Sequence, residues 1–164
     1  MTNWLSADEM RAWRAFIGTN ADLLGALEAD LALQGVDLGD YQVLVYLSEA
    51  DGNQMRMCDL ADQLQLSPSG LTRRLDGLVK SGAVVRQGSE RDRRVMMAVL
   101  TDGGRATLEG AAPHHVASVR RRIFDHLDAT QVAALESIFA AISQGLRADP
   151  ECAGHLAPLA TAVP

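Results

Sequence analysis

The sequence has almost no cysteine, a single lysine and few aromatics. Of 164 residues, two are Cys and 4% are aromatic. Cys58 and Cys152 make neither a disulfide framework nor a metal-ligand spacing, so a reducing cytoplasm is the simplest compartment. With Lys80 alone, Schiff-base chemistry would fall on a residue that reads as surface. No apolar run approaches the ~20 residues that span a bilayer. The stretch from Met1 to Met10 has no basic segment leading into an apolar one, so no secretory signal is expected. Gly-x-Ser-x-Gly, a phosphate-loop lysine and His-Glu-x-x-His are missing, and the expectation is a protein without catalytic activity or cofactor. There is no internal repeat.

Positive charge is also scarce overall. Fifteen Lys and Arg face 21 Asp and Glu, for a net charge of −6. The isoelectric point near 5.1 argues against a generally sticky polyanion binder. The basic residues are not spread evenly, however. Arg73, Arg74, Lys80, Arg86, Arg91, Arg93 and Arg94 face only Asp76, Glu90 and Asp92. That stretch carries +4 and leaves −10 on the remainder. One local basic surface on an acidic body suits a site-specific nucleic-acid contact; a solvated charged face is the plainer alternative.

Local signals divide the chain. Ser6-Ala7-Asp8-Glu9 has capping-box spacing. Met10, Trp13, Phe16, Ile17, Leu24, Leu27 and Leu31 follow at helical period, with Gly35 as a stop. The resulting helix of about 28 residues is long for a small domain and suits packing against a second subunit. Asp37 caps the next helix, with Tyr41, Val43, Leu44 and Leu47 inward. Asp51-Gly52-Asn53 is a turn. A helix of about eight residues follows near Met57, with Leu60, Ala61 and Leu64 inward. After a break at Gln65-Leu66, Ser67-Pro68 starts another, because Ser caps and Pro suits the first helical position. Leu71, Leu75, Leu78 and Val79 form its apolar stripe, and Ser81-Gly82 end it. Val84–Gln87 and Val95–Leu100 read as two strands about a charged tip. Thr101 caps a helix expected to run to roughly Leu127. Asp128 opens a last one ending near Arg147, and 149–164 reads as a loose tail.

Short helix, tight break, capped helix and basic-tipped hairpin are the order of a winged helix-turn-helix. The fold expected is mainly α with a small β-hairpin wing. The helix from Ser67 to Lys80 would lie in the major groove, its first turns facing base edges. Its outward residues are Ser67, Ser69, Gly70, Thr72, Arg73 and Arg74. Small side chains permit close approach, an arginine can bridge guanine O6 and N7, and free N–H groups at the helix start suit a phosphate. Arg86, Arg91, Asp92, Arg93 and Arg94 belong to the wing, where arginine suits the negative potential of the minor groove.

These residues resemble the MarR family of bacterial transcriptional regulators. The likeness rests on Met57–Leu64, Leu66–Leu75, Glu90-Arg91-Asp92-Arg93-Arg94 and Leu100-Thr101-Asp102-Gly103-Gly104-Arg105, and runs over about 6–147. The resemblance implies a homodimer built from the terminal helices, here 1–36 and 101–148, around a DNA-binding lobe at 37–100. It implies double-stranded DNA with a palindromic operator as partner, repression, and release by a small effector. It also implies that Arg94 enters the minor groove and that Asp92 holds the wing tip by ion pairing. Leu108, Val116, Val119, Ile123, Leu127, Leu135, Ile138 and Ile142 supply the apolar face for the dimer.

Other signals point less sharply. His114 and His115 project about 100° apart on a helix, so they do not chelate as a pair, and no metal site is expected. Trp13, Ile17, Tyr41, Tyr46, His114 and His115 are the candidate lining of an effector crevice suited to a small phenolic or anionic compound; the alternative is that they are packed solid. Arg120-Arg121-Arg122 reads as exposed charge or ion pairing across subunits. Cys58 starts a short helix, where the dipole favours a thiolate. A redox-sensing regulator acting through Cys58, and a winged-helix adaptor that binds protein instead of DNA, are the two rival readings. No membrane association is expected.

Overall fold

The computed structural model describes residues 3–89, 92 and 94–148. The predicted wing residues Arg91 and Arg93, and the stretch 149–164 read as a tail, lie outside them. Helix α1 (Ala7–Ala32) opens with the predicted capping box: the Ser6 amide donates to Glu9 Oε2 at 2.7 Å, and the Glu9 amide to Ser6 Oγ at 3.3 Å. The helix has 26 residues and stops before Gly35, whose φ of +76° turns the chain. Helix α2 (Leu38–Glu49) is capped by Asp37, which accepts from the Asp40 amide at 2.7 Å. Helix α3 (Met57–Gln63) and helix α4 (Pro68–Lys80) are joined through Gln65, a non-glycine residue at φ +53°. The Leu66 amide donates back to the Ala61 carbonyl at 2.9 Å and closes that turn.

The sheet has one strand more than expected. Strands β2 (Val84–Gly88) and β3 (Met96–Leu100) form the predicted antiparallel hairpin, with Val84 opposite Leu100 and Arg86 opposite Ala98. Strand β1 (Gln54–Arg56) pairs with the other edge of β3, giving the order β1-β3-β2. Three residues are too few to show a period of two, and the pairing partner lies more than 40 residues downstream, so no local pattern announces β1.

Helix α5 (Asp102–Arg122) starts at Thr101, whose Oγ1 accepts from the Gly104 amide at 3.0 Å. It passes through Pro113 and ends five residues earlier than expected. At Ile123 the backbone leaves helical geometry (φ −122°, ψ −69°), and Phe124–His126 form a short 3-10 turn. Helix α6 (Ala129–Ala148) completes the described chain. No helix among the described residues is long and apolar enough to cross a membrane.

Two apolar clusters organise these elements. Val43, Leu44 and Leu47 of α2 meet Leu60 and Ala61 of α3, Leu71, Leu75 and Leu78 of α4, and Val84, Ala98 and Leu100 of the sheet. This is the core that supports α4. Leu31, Val36, Tyr41 and Ala111 tie α1, α2 and α5 together in a second, smaller cluster. The termini are different. Helix α6 buries none of its residues and α1 buries only Leu27 and Leu31. Trp13, Phe16, Ile17 and Leu24 of α1, and Ile138, Phe139, Ile142 and Leu146 of α6, stay exposed.

Candidate nucleic-acid interface

Helix α4 turns Leu71, Leu75 and Leu78 of its predicted apolar stripe inward, while Val79 is exposed beside the polar face. Ser67 caps it by accepting from the Gly70 amide at 3.1 Å, and Ser67 Oγ lies 3.2 Å from Ser69 Oγ. Both residues are exposed at the amino end of the helix, where Pro68 brings no N–H and the Gly70 N–H is taken by the cap. Gly70 is packed against this cap: a Cβ there would lie 3.2 Å from Ser67 Oγ. Thr72 turns its hydroxyl back onto the Pro68 carbonyl at 2.9 Å.

The arginines divide into two kinds. Arg73 is exposed and makes no ion pair with any described residue. The side chain of Arg94, at the base of the wing tip, is likewise exposed. Its amide donates to Asp92 Oδ1 at 3.0 Å. Arg74, expected on the outer face of the helix, and Arg86, expected to serve the wing, are instead engaged in ion pairs within the lobe. Arg74 Nη1 lies 2.5 Å from Asp37 Oδ1 and 3.2 Å from Asp40 Oδ1. Arg86 donates to the Thr72 carbonyl at 2.7 Å and pairs with Asp76 at 2.9 Å, fastening β2 to α4. The correction has a simple cause. Neighbouring helical residues point about 100° apart, so Arg73 and Arg74 cannot share a direction, and carboxylates distant in sequence capture the second. Asp37 and Asp40 were therefore not recognisable as part of this surface from local pattern.

A strand-supported wing beside a Ser-capped helix with one free arginine is the geometry of a DNA-reading winged helix. The family model described as the MarR family matches residues 34–95. The crystal structure of AbsC, a MarR family transcriptional regulator from Streptomyces coelicolor, is 40% identical. The match covers 90% of this chain and all of AbsC, with a TM-score of 0.85.

The chain belongs to the MarR family of transcriptional regulators.

Sco3205, another MarR family regulator from Streptomyces coelicolor, was solved in complex with DNA. It is 32% identical with a TM-score of 0.87, over 95% of this chain and 98% of Sco3205. The repressor YetL of Bacillus subtilis is 29% identical over 93 residues, or 57% of this chain. This chain spans 56% of YetL's length.

The six candidate effector residues have different surroundings in this MarR-family chain. The Tyr41 and His115 rings touch at 4.6 Å between α2 and α5, where burial lowers the His115 pKa and raises that of Tyr41. Tyr46 packs on the core beneath α4. His114 is exposed, as are Trp13 and Ile17. A cleft lies among other residues. It holds about 930 Å³ between α1, the end of α5 and α6, and its walls include Phe16, Leu23, Ile123, Leu127, Leu135 and Phe139. The periodicity of α1 was legible, but where its exposed side chains go depends on how α6 crosses it.

Arg121 and Arg122 pair within the chain. Asp30 Oδ2 accepts from Arg121 at 3.0 Å and from Arg122 at 2.9 Å, and also from the buried Ser118 hydroxyl. The Arg122 and Ser118 hydrogen bonds hold the Asp30 carboxyl down at about 2. Cys58 behaves oppositely to a reactive thiol. Its Sγ donates to Asp59 Oδ1 at 3.3 Å, and this bond, with burial and the carboxylate charge, raises its pKa. That works against the thiolate a redox sensor needs. Among the described residues no three His, Cys, Asp or Glu side chains gather as metal ligands.

Proposed function

We propose that this MarR-family regulator is a cytoplasmic homodimer that binds a palindromic DNA operator and represses transcription from it. The observation that carries the reading is the outer face of α4, where Ser67 and Ser69 are exposed at the helix start and Arg73, unlike Arg74, makes no ion pair with a described residue. In the proposed complex Arg73 reads a base edge in the major groove. Arg94 of the wing reaches the adjacent backbone or minor groove. In this reading 37–100 act as the DNA-binding lobe, and 1–36 with 101–148 form the dimer.

The uncovered apolar faces support the dimer. A second copy would cover the exposed aromatics and aliphatics of α1 and α6 and fill the cleft between them. An interface of that kind buries more than about 2,000 Å². It would set the two α4 helices about 34 Å apart, one DNA turn. Release by a small phenolic or anionic effector has its foothold in the Tyr41–His115 contact, between the α1–α2 corner and α5. Such a compound acts only through different affinities for the free and DNA-bound dimer. Salicylate and related acids are the compounds to titrate, with operator binding and tryptophan fluorescence followed together.

The deciding experiment selects duplexes from a random-sequence pool with the purified protein and sediments the protein at micromolar concentration. A dimer that enriches a palindrome with half-sites one turn apart is expected. A monomer, or a pool that stays random, would overturn the reading.

A further inference from the structure

Arg74 ties the flank of α4 to the start of α2, and the seat it occupies is specific. Its guanidinium rests on Gly39 in the first turn of α2, where a Cβ would lie 2.5 Å from Arg74 Cζ and 2.6 Å from Nη2. A Cβ fits there only if the guanidinium moves. Asp37 and Asp40, on either side of Gly39, both accept from Nη1, at 2.5 and 3.2 Å. The same turn is held from behind by α1: the Leu38 amide donates to Glu28 Oε2 at 2.9 Å. One continuous run of polar contacts therefore links α1, the start of α2 and the flank of α4.

We propose that Arg74 is a positioning residue for DNA recognition: seated on Gly39 between Asp37 and Asp40, it sets the pitch of α4 against the α1–α2 corner. The proposal rests on the reading of α4 as the DNA-contacting helix. The underside of α4 is Leu71, Leu75 and Leu78, and apolar contacts are non-directional. They keep the helix on the core but tolerate small rocking. Charge-assisted hydrogen bonds from a planar guanidinium are directional and short. A recognition element must hold its contacting groups to within about 0.5 Å. Arg86 fixes the other flank of α4 through Thr72 and Asp76, so the helix is pinned on both sides and Arg73 is aimed between the pins. Because Glu28 belongs to α1, a rearrangement of α1 reaches α4 by this route.

Gly39→Ala gives a sharp test, because it dislodges the guanidinium and leaves Arg74 itself in place. The crowded atoms are the far end of a flexible side chain, and alanine is the better helix former. The Tm is expected to stay within about 3 °C of the parent or to rise. Affinity for a duplex selected by the parent dimer should nonetheless fall roughly three- to thirty-fold. Affinity for random-sequence DNA should change by less than about twofold, since backbone contacts are kept. Arg74→Met removes the guanidinium however it resettles and should repeat this pattern with the salt dependence unchanged; Arg74→Lys, which keeps the charge and loses the fork, should recover part of the loss. If Arg74 instead touched phosphates, Arg74→Met would lower the salt slope by about two per dimer, and the proposal would be overturned. It is overturned equally if Gly39→Ala and Arg74→Met bind the selected duplex like the parent, or if they lose selected and random DNA alike. Arg73→Ala distinguishes the two failures. If it weakens selected binding while the Gly39 and Arg74 variants do not, the DNA reading stands and the positioning role falls. If it too leaves binding intact, α4 has been assigned the wrong role and the positioning proposal falls with it.

Discussion

Replacing Gly104 with alanine should loosen the joint between the sheet and α5. A Cβ at this position would lie 2.1 Å from the Ala83 carbonyl oxygen, 2.9 Å from its carbon and 2.8 Å from Leu100 Cδ1. Two of those three atoms are backbone and cannot rotate away. An ordinary contact starts at about 3.4 Å, so the first turn of α5 must retreat by more than 1 Å. The retreat strains a compact set of hydrogen bonds. The Ala83 carbonyl accepts from the Thr101 amide at 3.1 Å, and Thr101 Oγ1 donates to the carbonyls of Gly82 at 2.6 Å and Ala83 at 3.0 Å. Overpacking costs about 1–3 kcal/mol, and each weakened hydrogen bond about 1 kcal/mol. The gain in helix propensity offsets at most ~1 kcal/mol. The net expectation is a loss of about 2–3 kcal/mol, a sizeable part of the 5–15 kcal/mol typical of a folded protein. Urea unfolding followed by far-UV circular dichroism, at one fixed protein concentration, measures it as a lower midpoint with an unchanged slope. Gly77→Ala is the control: no atom lies within 4 Å of its Cβ, so it should be neutral or stabilising by up to ~1 kcal/mol. A Gly104→Ala midpoint at or above the parent's would refute the reasoning.

Three further outcomes follow from the geometry. Arg73→Ala should cost ~1–3 kcal/mol on the selected duplex and relax preference at one position per half-site, whereas Arg94→Ala should weaken binding more evenly across sequences and flatten its salt dependence; equilibrium binding at several salt concentrations separates them. Asp30 has a carboxyl pKa near 2 in the fold against 3.8 ordinarily, so its contribution is fully present above about pH 3.8 and is lost as pH falls through about 2. The stability gap between the parent and Asp30→Asn should therefore narrow across that window in acid unfolding, and a gap that stays constant from neutral pH to pH 2 would contradict the role given to Asp30. Cys58→Ser should bind DNA like the parent before and after peroxide, because Asp59 raises the thiol's pKa; peroxide that weakens the parent and spares Cys58→Ser would restore the redox reading.

Local chemistry determined much of this protein. The capping groups at Ser6, Asp37, Ser67 and Thr101 start helices where their spacing predicted, because a cap is satisfied within three residues. The stripe of Leu71, Leu75 and Leu78 faces the core, because a helical period selects one face. The capped helix over Leu66–Leu75, preceded by Met57–Leu64 and followed by the motif around Asp92 to Arg94 and the run from Leu100 to Arg105, carried the resemblance to the family. What depended on partners far along the chain was not legible. Strand β1 exists only because β3 offers an edge. Helix α5 stops at Arg122, although its propensity allows it to continue. Arg73 and Arg74 are chemically identical and adjacent, yet only the fold brings Asp37 and Asp40 across 37 and 34 residues to hold one and leave the other free. The candidate effector residues scattered for the same reason: a period tells which side of a helix is apolar, but the crossing of α1, α5 and α6 decides what that side meets. Sequence patterns record interactions within a few residues; the cleft, the ion pairs and the aim of α4 are long-range contacts, and only the packed chain specifies them.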